Sequence, residues 1–108
     1  MNYFKLKRST DKQYYFVLLS RNNKVILTSE LYKTEQGLRT GINSVRANAG
    51  NRNNYEIRKA INGQPYFLLK AQNGEIIGSS ETYSSSQQLE NGIKSVRFHA
   101  GLANTVKE

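Results

Sequence analysis

Leu38-Arg39-Thr40-Gly41-Ile42-Asn43-Ser44-Val45-Arg46 returns as Leu89-Glu90-Asn91-Gly92-Ile93-Lys94-Ser95-Val96-Arg97, fifty-one positions further along the chain. Leu38, Ile42, Val45 and Ala49 recur at i, i+4, i+7 and i+11, the apolar stripe of a helix laid on a core; Leu89, Ile93, Val96 and Ala100 repeat it. Gly41 and Gly92 lie on that stripe, where glycine costs about 1 kcal/mol against alanine. Its presence in both copies predicts a close approach of helix to sheet.

Working outward, the same shift brings the remaining residues into register without a gap. Phe16 meets Phe67, Leu18 meets Leu69, Asn22 meets Asn73 and Ile26 meets Ile77. Ser29-Glu30-Leu31-Tyr32 meets Ser80-Glu81-Thr82-Tyr83, and Ala49-Gly50 meets Ala100-Gly101. Ahead of each helix the period is two. Strands are predicted over about 3–8, 14–20 and 24–30, and again over about 54–59, 65–71 and 75–81. Asn62-Gly63 and Asn73-Gly74 are hairpin turns that demand positive φ, with Asn22-Asn23 a workable variant. Thr34 and Ser85 are predicted N-caps, and Ser85 with Gln88 forms a capping box. Gly50 and Gly101 sit where a left-handed C-terminal cap belongs.

Two units of this kind are too few for a solenoid. The expectation is one α+β domain made of repeat one (1–51) and repeat two (52–108), with two helices on one face of an antiparallel sheet. The core should comprise Phe4, Leu6, Phe16, Leu18, Ile26, Leu38, Ile42, Val45 and their partners, among them Tyr55 and Ile57. Thr105-Val106-Lys107 aligns with the start of a third copy and could add a short closing strand.

The pattern Ser-Glu-x-Tyr, a cap, then Gly-Ile-x-Ser-Val-Arg resembles the YegP-like family of small bacterial proteins of unknown function. Thr28-Ser29-Glu30-Leu31-Tyr32, Ile76-Ile77-Gly78-Ser79-Ser80 and Thr105-Val106-Lys107 are similar to its duplicated members. The resemblance implies a three-strand, helix, strand repeat, two of which share a sheet with exchanged terminal strands. It implies no activity.

Composition narrows function by exclusion. The 108 residues contain one His, one aspartate (Asp11) and no Cys. Metal sites and nucleophile–base–orienter triads need several such groups converging, so an enzyme, a metal site or a cofactor is not expected. No apolar run approaches the ~20 residues of a membrane span, and no signal peptide is visible, so the expected location is cytoplasmic. His99, near a helix end, reads as a surface residue.

Net charge is +8, from 16 Lys/Arg and 8 Asp/Glu, and residues 1–50 hold nine of those cations against three acids. The leading expectation is a non-enzymatic binding or protein-interaction module of unassigned partner, self-association through an edge strand or the off-stripe Phe98 included. The alternative is a weak, sequence-tolerant nucleic-acid binder. Tyr3, Lys5 and Lys7 project from one strand face, with Arg21, Lys24, Lys33 and Arg39 in support. The repeated polar residues Glu30, Tyr32 and Arg46, with Glu81, Tyr83 and Arg97, could form two ligand sites. The favoured reading is structural: a strand-end glutamate paired with a helix arginine, and tyrosine packed at the corner.

Overall fold

The structure, a computed structural model, describes residues 3–20 and 22–107. Strands β1 (Tyr3–Arg8), β2 (Tyr14–Leu19) and β3 (Val25–Ser29) lead into helix α1 (Glu35–Asn48). Strands β4 (Tyr55–Lys59), β5 (Pro65–Lys70) and β6 (Ile76–Ser79) lead into α2 (Ser86–His99), and β7 (Asn104–Lys107) follows. One seven-stranded sheet results, in the order β4-β5-β6-β3-β2-β1-β7. The two three-stranded meanders meet at its centre, where β3 and β6 pair antiparallel through Thr28 with Ser79 and Ser29 with Gly78. A Cβ on Gly78 would lie 2.7 Å from the Thr28 carbonyl oxygen, so this seam requires glycine.

The class is α+β as expected, but the sheet is mixed. The tail does form a strand, and β7 runs parallel to β1, pairing Phe4 with Thr105 and Lys5 with Val106. The chain leaves α2 on the helix layer and enters the sheet beside β1 in the same direction. β6 and β7, the strands on either side of α2, run in opposite senses, and β3, β2 and β1 lie between them in the sheet.

One apolar cluster lies between sheet and helices: Phe4, Leu6, Phe16, Leu18, Leu27, Phe67 and Leu69 from strands, against Leu38, Ile42, Val45, Leu89, Ile93 and Val96. Phe16 and Phe67 are both fully buried, as are Val45 and Val96. Ile57 is the exception among the expected core residues. Its aligned partner Leu6 is 7% exposed, whereas Ile57 is 46% exposed. Leu6 is flanked on β1 by β7, and no strand of the described residues lies beyond β4.

Both N-caps form. The hydroxyl oxygens of Thr34 and Ser85 accept from the backbone N–H of Gly37 (3.0 Å) and Gln88 (3.1 Å). The reciprocal half of the capping box does not, because the Gln88 carboxamide oxygen accepts from the Ser84 hydroxyl at 2.7 Å. Gly50 and Gly101 are not left-handed either. Ala49 and Ala100 close the helices in right-handed geometry, and short 3₁₀ turns over Arg52–Asn54 and Ala100–Leu102 carry the chain on.

The hairpins differ from the expected two-residue turn. Among the described residues of each hairpin, the last loop residue has positive φ and the others do not: Lys12 (68°), Asn23 (62°), Gly63 (82°) and Gly74 (88°). Gly74 N–H donates to the Ala71 carbonyl and Ala71 N–H to the Glu75 carbonyl, both at 2.9 Å. This is a three-residue loop ending in a left-handed residue, which tolerates an ordinary side chain better than a turn needing two such residues.

Candidate functional site

Strand alternation sorts Tyr3, Lys5 and Lys7 to the face of β1 opposite the helices, since Phe4 and Leu6 enter the core. Register carries that face across the sheet. Lys5 stands opposite Val17, Val17 opposite Thr28, Thr28 opposite Ser79, Ser79 opposite Leu68 and Leu68 opposite Glu56. Lys7 pairs with Tyr15, and Arg58 with Tyr66. Lys70 follows Tyr66 and Leu68 at the same alternation on β5. The open face therefore holds Tyr3, Tyr15 and Tyr66 with Lys5, Lys7, Arg58 and Lys70. Val17 and Leu68, each 5% exposed, are covered by these longer neighbours. Among the described residues of these strands, Glu56 is the acid on this face. It binds Arg58 at 2.6 Å and also Lys70, and those two hydrogen bonds hold its carboxyl below the ordinary glutamate range.

Lys24 does not join this face. Its ammonium lies over the Tyr83 ring, 5.9 Å from the centroid, on the helix side. Tyr3 donates from its hydroxyl to the Asn23 side-chain oxygen at 2.9 Å. Arg39 pairs with Glu35 along α1 at 3.0 Å, and Lys33 is exposed before that helix. Arg21 lies outside the described residues. Sequence reasoning on the first half alone missed Tyr15, Tyr66, Arg58 and Lys70. Period-two alternation within β2, β4 and β5 was the available signal.

The repeated polar residues separate into two kinds. Tyr32 and Tyr83 pack at the strand-to-helix corners, stacked on Phe16 (6.5 Å) and Phe67 (6.2 Å). Burial raises both phenols above the ordinary range, with Glu30 and Glu75 adding to the effect at Tyr32 and Glu81 at Tyr83. The expected glutamate–arginine pairs are absent among the described residues. Arg46 Nη2 donates instead to the Ala103 carbonyl at 2.8 Å, with its guanidinium 5.3 Å over the Phe4 ring. Arg97 Nε reaches the Gly50 carbonyl at 3.4 Å. Each helix thus ties down the chain leaving the other helix, while Glu30 and Glu81 stay exposed.

Two grooves open beside the corner tyrosines. The first, about 980 Å³, lies between Tyr32, Gly37, Thr40 and Gly41 on one wall and the β5–β6 hairpin on the other, with Glu30 and Glu75 at its rim. The second, about 330 Å³, lies between Tyr83, Gln88, Asn91 and Gly92 and the β2–β3 hairpin, with Lys24 at the place aligned to Glu75. Among the described residues no group of three His, Cys, Asp or Glu could hold a metal ion. Among them, too, no helix is long and apolar enough to cross a membrane.

The sequence profile described as "Domain of unknown function (DUF1508)" matches residues 9–56 and 60–106. The chain belongs to the DUF1508 family. It is 46% identical over 106 residues to the UPF0339 protein YegP of Escherichia coli, covering 98% of this chain and 96% of that one. It is also 46% identical to a UPF0339 protein of Mannheimia succiniciproducens over 93% of this chain and 88% of the other. The solution NMR structure of the E. coli protein, described as of unknown function, superposes with a TM-score of 0.93 at 42% identity, covering 99% of this chain and 92% of that one. That of the Shewanella oneidensis UPF0339 protein superposes at 0.91, also with 42% identity, covering 98% and 90%. The family resemblance read from the sequence is therefore shown, and the family's function is unknown.

Proposed function

We propose that the chain is a duplicated, non-enzymatic binding module whose open sheet face holds single-stranded nucleic acid. One observation carries this reading: Lys5, Lys7, Arg58 and Lys70 are interleaved with Tyr3, Tyr15 and Tyr66 on one surface built from both halves. Lysine and arginine neutralise phosphates, while tyrosine rings offer π-faces to unpaired bases and tolerate any sequence. The net charge of +8 raises the encounter rate. With three or four phosphate contacts, log K should fall against log salt with a slope of about −2 to −3.

Fluorescence anisotropy of a labelled oligouridine, titrated at several salt concentrations, tests the proposal. The expected result is salt-sensitive binding that weakens in Lys5→Glu and in Tyr15→Ala. Binding absent below about 100 μM at about 50 mM salt, or indifferent to salt, would remove it.

A second reading rests on Ile57, whose exposure marks β4 as an uncovered sheet edge. An extended segment of a partner protein could add there in parallel, as β7 adds along β1. Affinity capture with and without nuclease separates the two readings. A protein partner that survives nuclease and is lost in Ile57→Lys supports the edge; loss of every partner on nuclease treatment supports the open face.

A further inference from the structure

The two corner grooves have the same origin in the fold but different contents. In the groove beside Tyr83 the chain supplies its own cation: the Lys24 ammonium reaches over the ring, and Tyr83 is only 9% exposed. Gln88 adds bulk at that wall. In the groove beside Tyr32 the residue aligned with Lys24 is Glu75 and the residue aligned with Gln88 is Gly37. The cation is replaced by an anion, the wall recedes, Tyr32 is left half-buried, and the hollow is about 980 Å³ against 330 Å³.

We infer that the Tyr32 groove binds an organic cation from outside the chain, a primary ammonium on an alkyl stem, in the place that Lys24 fills in its twin. An ammonium over the Tyr32 ring would gain the cation–π attraction that Lys24 gains at Tyr83. It would also meet two carboxylates, Glu30 and Glu75, at the groove rim. Both carboxylates sit close enough to act on the Tyr32 phenol, which they push upward after burial has done so. The alkyl stem would lie against Ala71, Ile76 and Ile77. None of the described residues lining the groove is cationic, although the protein as a whole is basic.

Such a cation has two sources, the lysine side chain of a partner protein or a free aliphatic polyamine. The full chain, labelled for amide NMR, would be titrated separately with N-acetyl-lysine methylamide, with spermidine, and with the uncharged N-acetyl-norleucine methylamide. Shifts at Gly37, Thr40, Gly41 and Gly74 are expected from the charged probes at millimolar concentration. The stronger charged probe identifies the source, and either one supports the site. Glu75→Lys should place a lysine where Lys24 stands in the twin and weaken binding by about tenfold or more. Lys24→Glu should open the second groove, adding a response at Gln88, Asn91 and Gly92. The inference is overturned by no response up to about 20 mM, by equal shifts from the uncharged probe, or by Glu75→Lys binding as wild type does.

Discussion

The ring of Tyr32 rests end-on against helix α1 at Gly41. A Cβ built at position 41 would lie 2.6 Å from the ring's Cζ, and the same distance separates a Cβ at Gly92 from the Cζ of Tyr83. The repeated helix glycine therefore makes room for a tyrosine side chain rather than for the sheet backbone. Helix propensity alone favours Gly41→Ala by about 1 kcal/mol. Overpacking a fixed ring costs typically 1–3 kcal/mol and reverses the sign. Chemical denaturation should find Gly41→Ala and Gly92→Ala destabilised, while Gly50→Ala, with open space at its Cβ, is neutral or stabilised. A Gly41→Ala protein as stable as wild type would show that the corner ring is free to move aside.

Ser29 and Ser80 hold equivalent hydrogen bonds. Each hydroxyl oxygen accepts from the backbone N–H of the phenylalanine thirteen residues earlier, Phe16 and Phe67, at 2.9 Å. Each hydroxyl also donates to the next carbonyl, of Glu30 and Glu81, at 2.7 Å. Alanine would leave the Phe16 amide unpaired in a buried setting, at a cost of about 1–3 kcal/mol. Ser29→Ala should lose more stability than Ser80→Ala, because Ser29 is buried and Ser80 is partly exposed. Equal losses in thermal unfolding would indicate that water does not reach the Phe67 amide after truncation.

The contrast between Leu6 and Ile57 shows where the chain was legible and where it was not. Periodicity placed both on the core side of their strands, and that assignment is local. Whether such a residue is covered depends on what lies beyond the strand, which for Leu6 is β7, nearly a hundred residues away in sequence. The same limit explains Arg46. Helical spacing put it near the corner, but its acceptor is the Ala103 carbonyl, fifty-seven residues on. The fifty-one-residue shift also aligns Lys24 with Glu75, a difference in charge that distinguishes the two grooves. The open face needed the β3–β6 register before Lys5 and Arg58 could be put on one surface.

Lys12 occupies the left-handed position that Gly63 and Gly74 fill in the second half. A side chain there pays the crowding of Cβ against its own carbonyl, about 1 kcal/mol or somewhat more. Lys12→Gly should therefore raise stability by about 0.5–1 kcal/mol, after the added freedom of the unfolded chain is deducted. Gly74→Ala should lower it by a similar amount, despite open space around its Cβ, because φ is +88°. Urea midpoints with unchanged m-values would measure both effects. A destabilised Lys12→Gly protein would contradict this account of the first hairpin.

Alkaline pH tests the two corner tyrosines and Tyr55 of β4 together. Burial raises the phenols of Tyr32, Tyr55 and Tyr83 above their unfolded value of about 10. Tyr55 additionally donates its hydroxyl proton to the Ala49 carbonyl at 2.7 Å, a bond that only the neutral phenol makes. Above pH ~10 the unfolded chain releases these protons while the folded chain keeps them, so the folded state binds more protons and stability falls as pH rises. Below that pH the three groups contribute no slope. Denaturation at closely spaced pH values should show a plateau through neutrality and then a steepening loss. Tyr55→Phe should be less stable by about 1 kcal/mol near neutral pH, having left the Ala49 carbonyl without its partner. Its alkaline slope should nevertheless be shallower, so that the two curves converge as pH climbs. Parallel curves would assign the alkaline loss to groups other than Tyr55.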